Sequence, residues 1–521
     1  MAEPVEARML RVRESRFTEQ DELIFKTVVP QDHRLRLIFS SINFESFSQV
    51  LGPHYHPTQG RPGDPVLIVK VIFLQYFYSL SDRQVIERLQ TDMAMRWFTG
   101  LGLQDAVPNA TTLSIFRTRL GVEGTQKVMD SLIQQAQAAG LLKYRLRLKD
   151  ASHMVANIAI LATLPLIAEV RQKILEAARP FALDQVTAAE ARMVEIRAAT
   201  AGCDDTARLV ARVELLLDIL AWATELKRPE EVDEAAWTRF EEARELLRKM
   251  VADAEDPKAG DRLRSAQDPD ARRGKHGQFF DGFLFDVLMD ADSELITAIH
   301  VLAANGYEGM DAVELIRHEE SVTGEDVKAI SIDGAGSPGE VIRALQDPDG
   351  LALDVYVPPL ESTAPEGLFA ASEFIADSEQ KTVTCPAGKQ SEGRSREESR
   401  QSTKYTFKAE TCAGCPLMNR CMKNPPKTTG RTVRKSDYEK EYQTTKDKAK
   451  TPEYQAVKKE HPKIERKLSE LINRHGARRA RYRGLPKVQC QMFWTAFAVN
   501  IKRMVKLMLR PSTPALSPAI S

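Results

Sequence analysis

His461–Lys487 reads HPKIERKLSELINRHGARRARYRGLPK, and the chain is organised around it. Pro462 suits the first turn of a helix, because its missing N–H would be unpaired there anyway. Ile464, Leu468 and Leu471 recur at helical spacing, and Gly476 stands where a left-handed cap ends a helix. Glu465 lies one position round from that apolar stripe, so a buried face sets its carboxylate at the edge of the core. Arg474, Arg478, Arg479, Arg481, Arg483 and Lys487 follow, with Tyr482 among them and no acid between. One carboxylate on a short helix beside a dense arginine cluster fits a catalytic group placed next to a bound polyanion.

The surrounding charge points the same way. Residues 431–510 hold 22 Lys/Arg against 8 Asp/Glu, whereas the whole chain balances at 73 of each. The remainder is therefore acidic. Such a basic segment supplies affinity for phosphates without sequence preference and suggests a nucleic-acid partner. The competing reading is that these arginines only pair with acids of the helical segment 165–255. From Pro486, Phe493, Phe497, Ile501, Met504 and Leu507 share one helical face, a terminal packing helix. Residues 511–521 are expected to form a disordered tail.

Upstream, VKAISIDGAG runs a buried-type strand straight into Asp333-Gly334, and SPGEVIRAL opens a helix directly after it. FFDGFLFDVLMDAD and LITAIHVLAA form a β-hairpin about the Asp290–Ser293 turn; MDAVELIRHEE is a helix and LALDVYVPP another strand. That order is a mixed α/β sheet. Asp333 sits at a strand's C-terminal end, where open α/β sheets place ligands. In LLKYRLRLKD, Tyr144, Leu146, Leu148 and Asp150 share a strand face that ends on the carboxylate. From the residues alone, Asp150 fits a strand-end residue as well as it fits a ligand.

Three segments frame this sheet. Residues 1–135 carry VLIVKVIFLQYFYSL, DRQVIERLQTDMAMRWFTGLG and TTLSIFRTRLG, a helical domain suited to DNA binding or to scaffolding. Residues 165–255 form long helices with interspersed charges, read as solvated faces without chemistry. The polar loop 256–277 that follows offers Arg272, Arg273, Lys275 and His276 to phosphates. Residues 361–455 hold Cys385, Cys412, Cys415 and Cys421 around a Ser/Glu/Arg-rich stretch, 388–404, expected to be mobile. Cys-x2-Cys with two further cysteines is a zinc-site pattern; unligated thiols are the alternative. Cys203 and Cys490 fall on helical patterns as ordinary core residues. Six cysteines without a signal-peptide pattern, and no run of about 18 apolar residues, suggest an intracellular protein without disulfides or a membrane span.

Taken in order, these pieces resemble the DDE transposases of bacterial insertion sequences. The matching stretches are GDPVLIVKVIFLQYFYSLSDRQVIERLQTDMAMRWFTGLG with PNATTLSIFRTRLG, LKDASHMVAN, DPDARRGKHGQFFDGFLFDVLMDADSELITAIHVLAAN, ISIDGAG, CPAGK, CAGCPLMNRC and IERKLSELINRHGARRARYRG. The resemblance implies an RNase H-like mixed-sheet core at 140–164 and 256–360, with its C-terminal helices at 456–510. A helical domain precedes that core, and the helical and cysteine-rich segments interrupt it. It further implies that Asp150, Asp333 and Glu465 bind two divalent ions, Mg²⁺ or Mn²⁺, for DNA strand cleavage and transfer. The implied partners are double-stranded DNA, at the element's terminal inverted repeats and at the target, and a second copy in a homodimer. The setting would be cytoplasmic and nucleoid-associated.

The family often places Tyr, Arg and Lys at fixed offsets around the glutamate. Here Lys458, His461 and Ile472 occupy those offsets, which leaves DNA holding to Arg474 and its neighbours. Two other functions stand beside this one: a domesticated or decayed copy that binds DNA without cutting it, and a nuclease relative acting on RNA or replication intermediates.

Overall fold

Arg147–Val155 is strand β1, and Asp150 lies inside it rather than at its end. A computed structural model describes residues 17–55, 64–334, 338–360, 364–377 and 381–509. The expected tail at 511–521 lies outside them. The described chain is mixed α/β with a helical N-terminal region. It divides into two compact units, Met1–Lys143 with Ala151–Tyr307 and Glu465–Ser521, and Tyr144–Asp150 with Glu308–Ile464. Strand β1 contributes residues to both.

In the second unit β1 pairs in parallel with β5 (Ala329–Ile332), which pairs in parallel with β6 (Asp354–Tyr356). The alternation read in LLKYRLRLKD suggested one buried face. Both faces are buried: Leu146 and Leu148 as expected, and Arg147 and Lys149 as well. A buried cation is tolerated only with a partner. Arg147 Nε donates to Glu319 Oε1 at 2.8 Å, and Lys149 Nζ lies 3.4 Å from Asp311. Both acids belong to the segment around the helix Ala312–Thr323.

In the first unit β3 (Gln278–Asp290) and β4 (Ile296–Ala303) form the expected hairpin. The loop 256–277 does not stay irregular. Arg272–His276 is a strand, β2, antiparallel to β3. Arg273 and Arg264 there both pair with the buried Asp281, while Arg272 donates to Ala271 O. The terminal helix Leu485–Met508 is buried almost all round from Val488 to Ile501. Its polar residues serve β4: Asn500 exchanges two bonds with the backbone of Ile296, and Gln489 bonds Val301 N and Ile299 O. Side-chain amides thereby satisfy strand groups that would otherwise be left unpaired.

The N-terminal helices differ from the sequence reading in two places. DRQVIERLQTDMAMRWFTGLG is two helices, Asp82–Thr91 and Met93–Thr99, because Asp92 leaves helical geometry and caps the second. The third continues past Gly121 to Ala138, across a break at that glycine (φ 59°). Pro65–Phe77 is a core helix; Lys70, buried within it, lies 3.1 Å from Glu45. Among the described residues no single helix is long and apolar enough to cross a membrane.

Residues 163–255 form four helices, Thr163–Ala178, Leu183–Ala199, Asp205–Glu225 and Glu234–Glu255, around their own apolar cluster. Cys203 is exposed between two of them and is not a core residue; Cys490 is buried. The stretch 388–404 is not irregular either. Gly393–Glu397 and Ser402–Lys408 pair in an antiparallel sheet with Thr429–Ser436. Opposite charges on that exposed ribbon pair up, Arg434 with Glu397 and Arg396 with Asp437.

Candidate active site

Asp150 and Asp333 stand 183 positions apart in the sequence. The parallel register of β1 and β5 matches Lys149 with Ile332, which brings the residues after each side by side. A ligand oxygen of each, together with one of Glu308, lies within 4.8 Å of the others. Among the described residues this is the group of three or more metal-type ligand atoms at such closeness. At an effective dielectric near 20, two carboxylate charges at that separation repel by roughly 3 kcal/mol. Hard oxygen donors held together in this way suit a divalent cation such as Mg²⁺ or Mn²⁺. Asp150 and Glu308 are half-buried and Asp333 is exposed, so solvent and substrate can reach the group.

Glu308 was not foreseen. It sits in a turn, where no periodicity singles it out. The available signal was its pairing with Gly309 shortly after a strand, the same acid–glycine step as Asp333-Gly334. Glu465 is exposed on the helix Pro462–His475, whose Ile464, Leu468 and Leu471 are buried as the spacing implied. Gly476 closes that helix with φ +71°. His461, immediately before the helix, bonds Ser331 of β5 through Nδ1 at 3.1 Å. Glu465 belongs to the first unit and is not in the carboxylate group.

The arginine-rich segment is anchored within the first unit. Val155 of β1 donates to Arg478 O at 2.9 Å, and Ala480 N donates to Val155 O at 2.9 Å. Three arginine side chains then bind carbonyls: Arg478 that of His153 (2.8 Å), Arg481 that of Leu80 (3.0 Å) and Arg483 that of Asn157 (3.0 Å). Tyr482 is half-buried, its ring 5.3 Å from the Arg117 guanidinium, and burial pushes its phenol up. Arg474, Arg479 and Lys487 are exposed. Arg478 also reaches Ser152 Oγ at 3.5 Å, and Arg481 lies over the Tyr76 ring at 4.8 Å.

On the helix that carries Glu465, Glu470 and His475 meet Lys502, whose Nζ lies 2.9 Å from Glu470 and 3.1 Å from His475 Nε2. Lys467, buried to 5% exposure, lies 3.1 Å from the same Glu470. Burial favours the neutral acid, but Lys467 and Lys502 outweigh it and hold the Glu470 carboxyl down to about 2. His153, its ring tilted against Phe280 at 4.8 Å and His276 at 5.0 Å, is lowered to about 4 by burial and then by Arg478 and His276.

The four cysteines converge. Cys385, Cys412, Cys415 and Cys421 line one cavity of about 20 Å³ with Phe407, Met418 and Met422. Arg431 N–H donates to Cys412 Sγ and Lys389 N–H to Cys385 Sγ, each at 3.4 Å. Gly430 is needed there, since a Cβ on it would stand 2.6 Å from Cys412 Sγ. Burial raises the Cys421 thiol, and the other three cysteines contribute in the same direction.

Residues 23–119 match a family described as Transposase domain (DUF772), and residues 384–505 match Transposase DDE domain. An "Uncharacterized protein ORF8 in nfe locus" of Rhizobium meliloti is 28% identical over 102 residues, covering 19% of this chain and 49% of the relative. The chain thus spans about half the length of the curated relative it matches. No solved structure matches. The chain is thus similar to transposase domains in two places, near its start and, for the DDE domain, towards its end, an arrangement consistent with a DDE transposase of insertion sequences.

Proposed function

We propose that this transposase cuts and joins DNA strands at the ends of an insertion sequence, using divalent ions held by Asp150, Asp333 and Glu465 in an RNase H-like core. The observation that carries the reading is the meeting of Asp150 and Asp333 from two parallel strands, with ligand atoms within 4.8 Å. When bound, such ions polarise the scissile phosphate and stabilise the attacking and leaving oxygens. The chain's own carboxylates fix where that charge sits and leave coordination positions open for phosphate oxygen. Glu465 takes the third place by the family pattern.

The DNA-holding surface is the arginine segment after Glu465. Arg474, Arg479 and Lys487 meet phosphates, while Arg478, Arg481, Tyr482 and Arg483 keep the segment in shape with donors to spare. Double-stranded DNA, both element ends and target, is the partner, and two copies act together in the active complex. The four cysteines hold a structural zinc. A cytoplasmic, nucleoid-associated setting follows from the activity.

The test is purified full-length protein with Mg²⁺ or Mn²⁺ and duplexes carrying the element's ends. Asp333→Ala should abolish cleavage and leave duplex binding almost unchanged. Cleavage that survives Asp333→Ala would sink the reading. A chain that binds the ends tightly and never cuts them, with all carboxylates intact, would favour the domesticated copy.

A further inference from the structure

We infer that Glu308 is a metal ligand, and that Asp150, Glu308 and Asp333 load one divalent cation without Glu465. The inference rests on the metal-dependent reading above and extends it to a residue outside the expected set.

Three backbone segments bring these carboxylates together: the interior of β1, the turn before the helix Ala312–Thr323, and the end of β5. All three belong to the same compact unit, which does not contain Glu465. The turn that carries Glu308 is pinned. Gly309 takes φ +91°, a conformation that suits glycine, and Ala312 N–H donates to its carbonyl at 3.0 Å. Asp311, 3% exposed, lies 3.4 Å from Lys149, the residue before Asp150. That buried ion pair fixes the turn against the strand, so the approach of Glu308 to Asp150 is set by the fold.

Lys149 pairs with Asp311, and Arg147 with Glu319. A small divalent cation bound by one oxygen from each of the three carboxylates keeps further positions for water or phosphate. The donors are hard oxygens, and the group includes neither sulfur nor imidazole, so Mg²⁺ or Mn²⁺ fits better than a softer metal.

The experiment measures Mn²⁺ binding to the full-length chain without DNA, by electron paramagnetic resonance of the free ion. Glu308→Gln, Asp150→Asn and Asp333→Asn should each weaken the first ion by at least about tenfold, the loss that even an outer-shell partner can cause. Glu465→Gln should leave that first ion in place. Glu308 is half-buried, and unchanged circular dichroism and melting without metal will show that Glu308→Gln folds. Melting with Mn²⁺ gives a second readout: wild type and Glu465→Gln should be raised, and Glu308→Gln should not.

If Glu308→Gln binds like wild type while the two aspartate variants fail, Glu308 is not a ligand and the metal reading stands. If Glu465→Gln loses the first ion too, loading without Glu465 is overturned. If wild type itself takes up no Mn²⁺, the metal-dependent reading falls with it.

Discussion

Lys149 Nζ lies 3.4 Å from a carboxylate oxygen of Asp311, both side chains almost wholly out of solvent at 1% and 3% exposure. The pair joins the strand of Asp150 to the turn of Glu308, so it holds two members of the carboxylate group in register. Burying a lone charge is costly, and removing one partner of such a pair typically costs about 3–5 kcal/mol. Lys149→Met should therefore destabilise the chain by that order in urea unfolding. Lys149→Met with Asp311→Leu should recover much of the loss, since an apolar pair strands no charge. A single variant as stable as wild type would show that Asp311 finds another partner.

The arginine segment divides into two classes with different expected behaviour. Arg479 is exposed, whereas Arg481 donates to Leu80 O and lies over the Tyr76 ring at 4.8 Å. Arg479→Ala should weaken binding to all duplexes alike and make the log–log salt dependence shallower by roughly 0.9. Arg481→Ala should lower the melting temperature first. Salt titrations beside melting curves separate them, and equal salt slopes for wild type and Arg479→Ala would remove Arg479 from the interface.

Part of the candidate site was legible because local pattern and chemistry agreed there. The run ISID ends in Asp333, and the apolar stripe of Ile464, Leu468 and Leu471 orders the helix of Glu465. What escaped was settled by partners far away in sequence. Arg147 and Lys149 read as the outer face of β1, and Glu319 and Asp311 help make their burial tolerable. Glu308 lies in a turn whose position depends on that pairing. The stretch 388–404 read as mobile from its charges, yet within it Glu397 pairs with Arg434 and Arg396 with Asp437. Composition alone does not show which charges will meet.

Acid should loosen the first unit in two stages. The His153 pKa is lowered to about 4, below its usual 6.5, so the fold prefers the neutral ring. Its contribution is complete above about pH 6.5 and is lost as pH falls towards 4. Glu470, held at about 2, contributes above about pH 4.5 and loses that contribution as pH falls through 2. Melting temperature should therefore decline from pH 6.5 to 4 in wild type and less steeply in His153→Gln. Identical slopes for the two would exclude His153 as the source.

The cysteine segment should depend on metal for its order. Its buried apolar cluster is small, Phe369, Phe374, Val383, Phe407 and Val433, with Cys385, Cys412 and Cys421 packed against it. So few side chains supply little folding free energy, and small cores commonly rely on a metal or disulfides. Four thiolates in tetrahedral array, each about 2.3 Å from the ion, would close the zinc shell and leave no position for water, so the ion would be structural. The N–H groups of Arg431 and Lys389 that meet two of the sulfurs are suited to support thiolate charge. Purified protein should thus contain one zinc per chain, and thiol titration should find Cys203 accessible while these four are protected. Chelation should expose all four and raise proteolysis within 381–436, leaving Mn²⁺ binding at the carboxylates intact. Cys415→Ser should reproduce that pattern without chelator. Metal-free protein with four freely titrating thiols and an equally protease-resistant segment would end the zinc assignment.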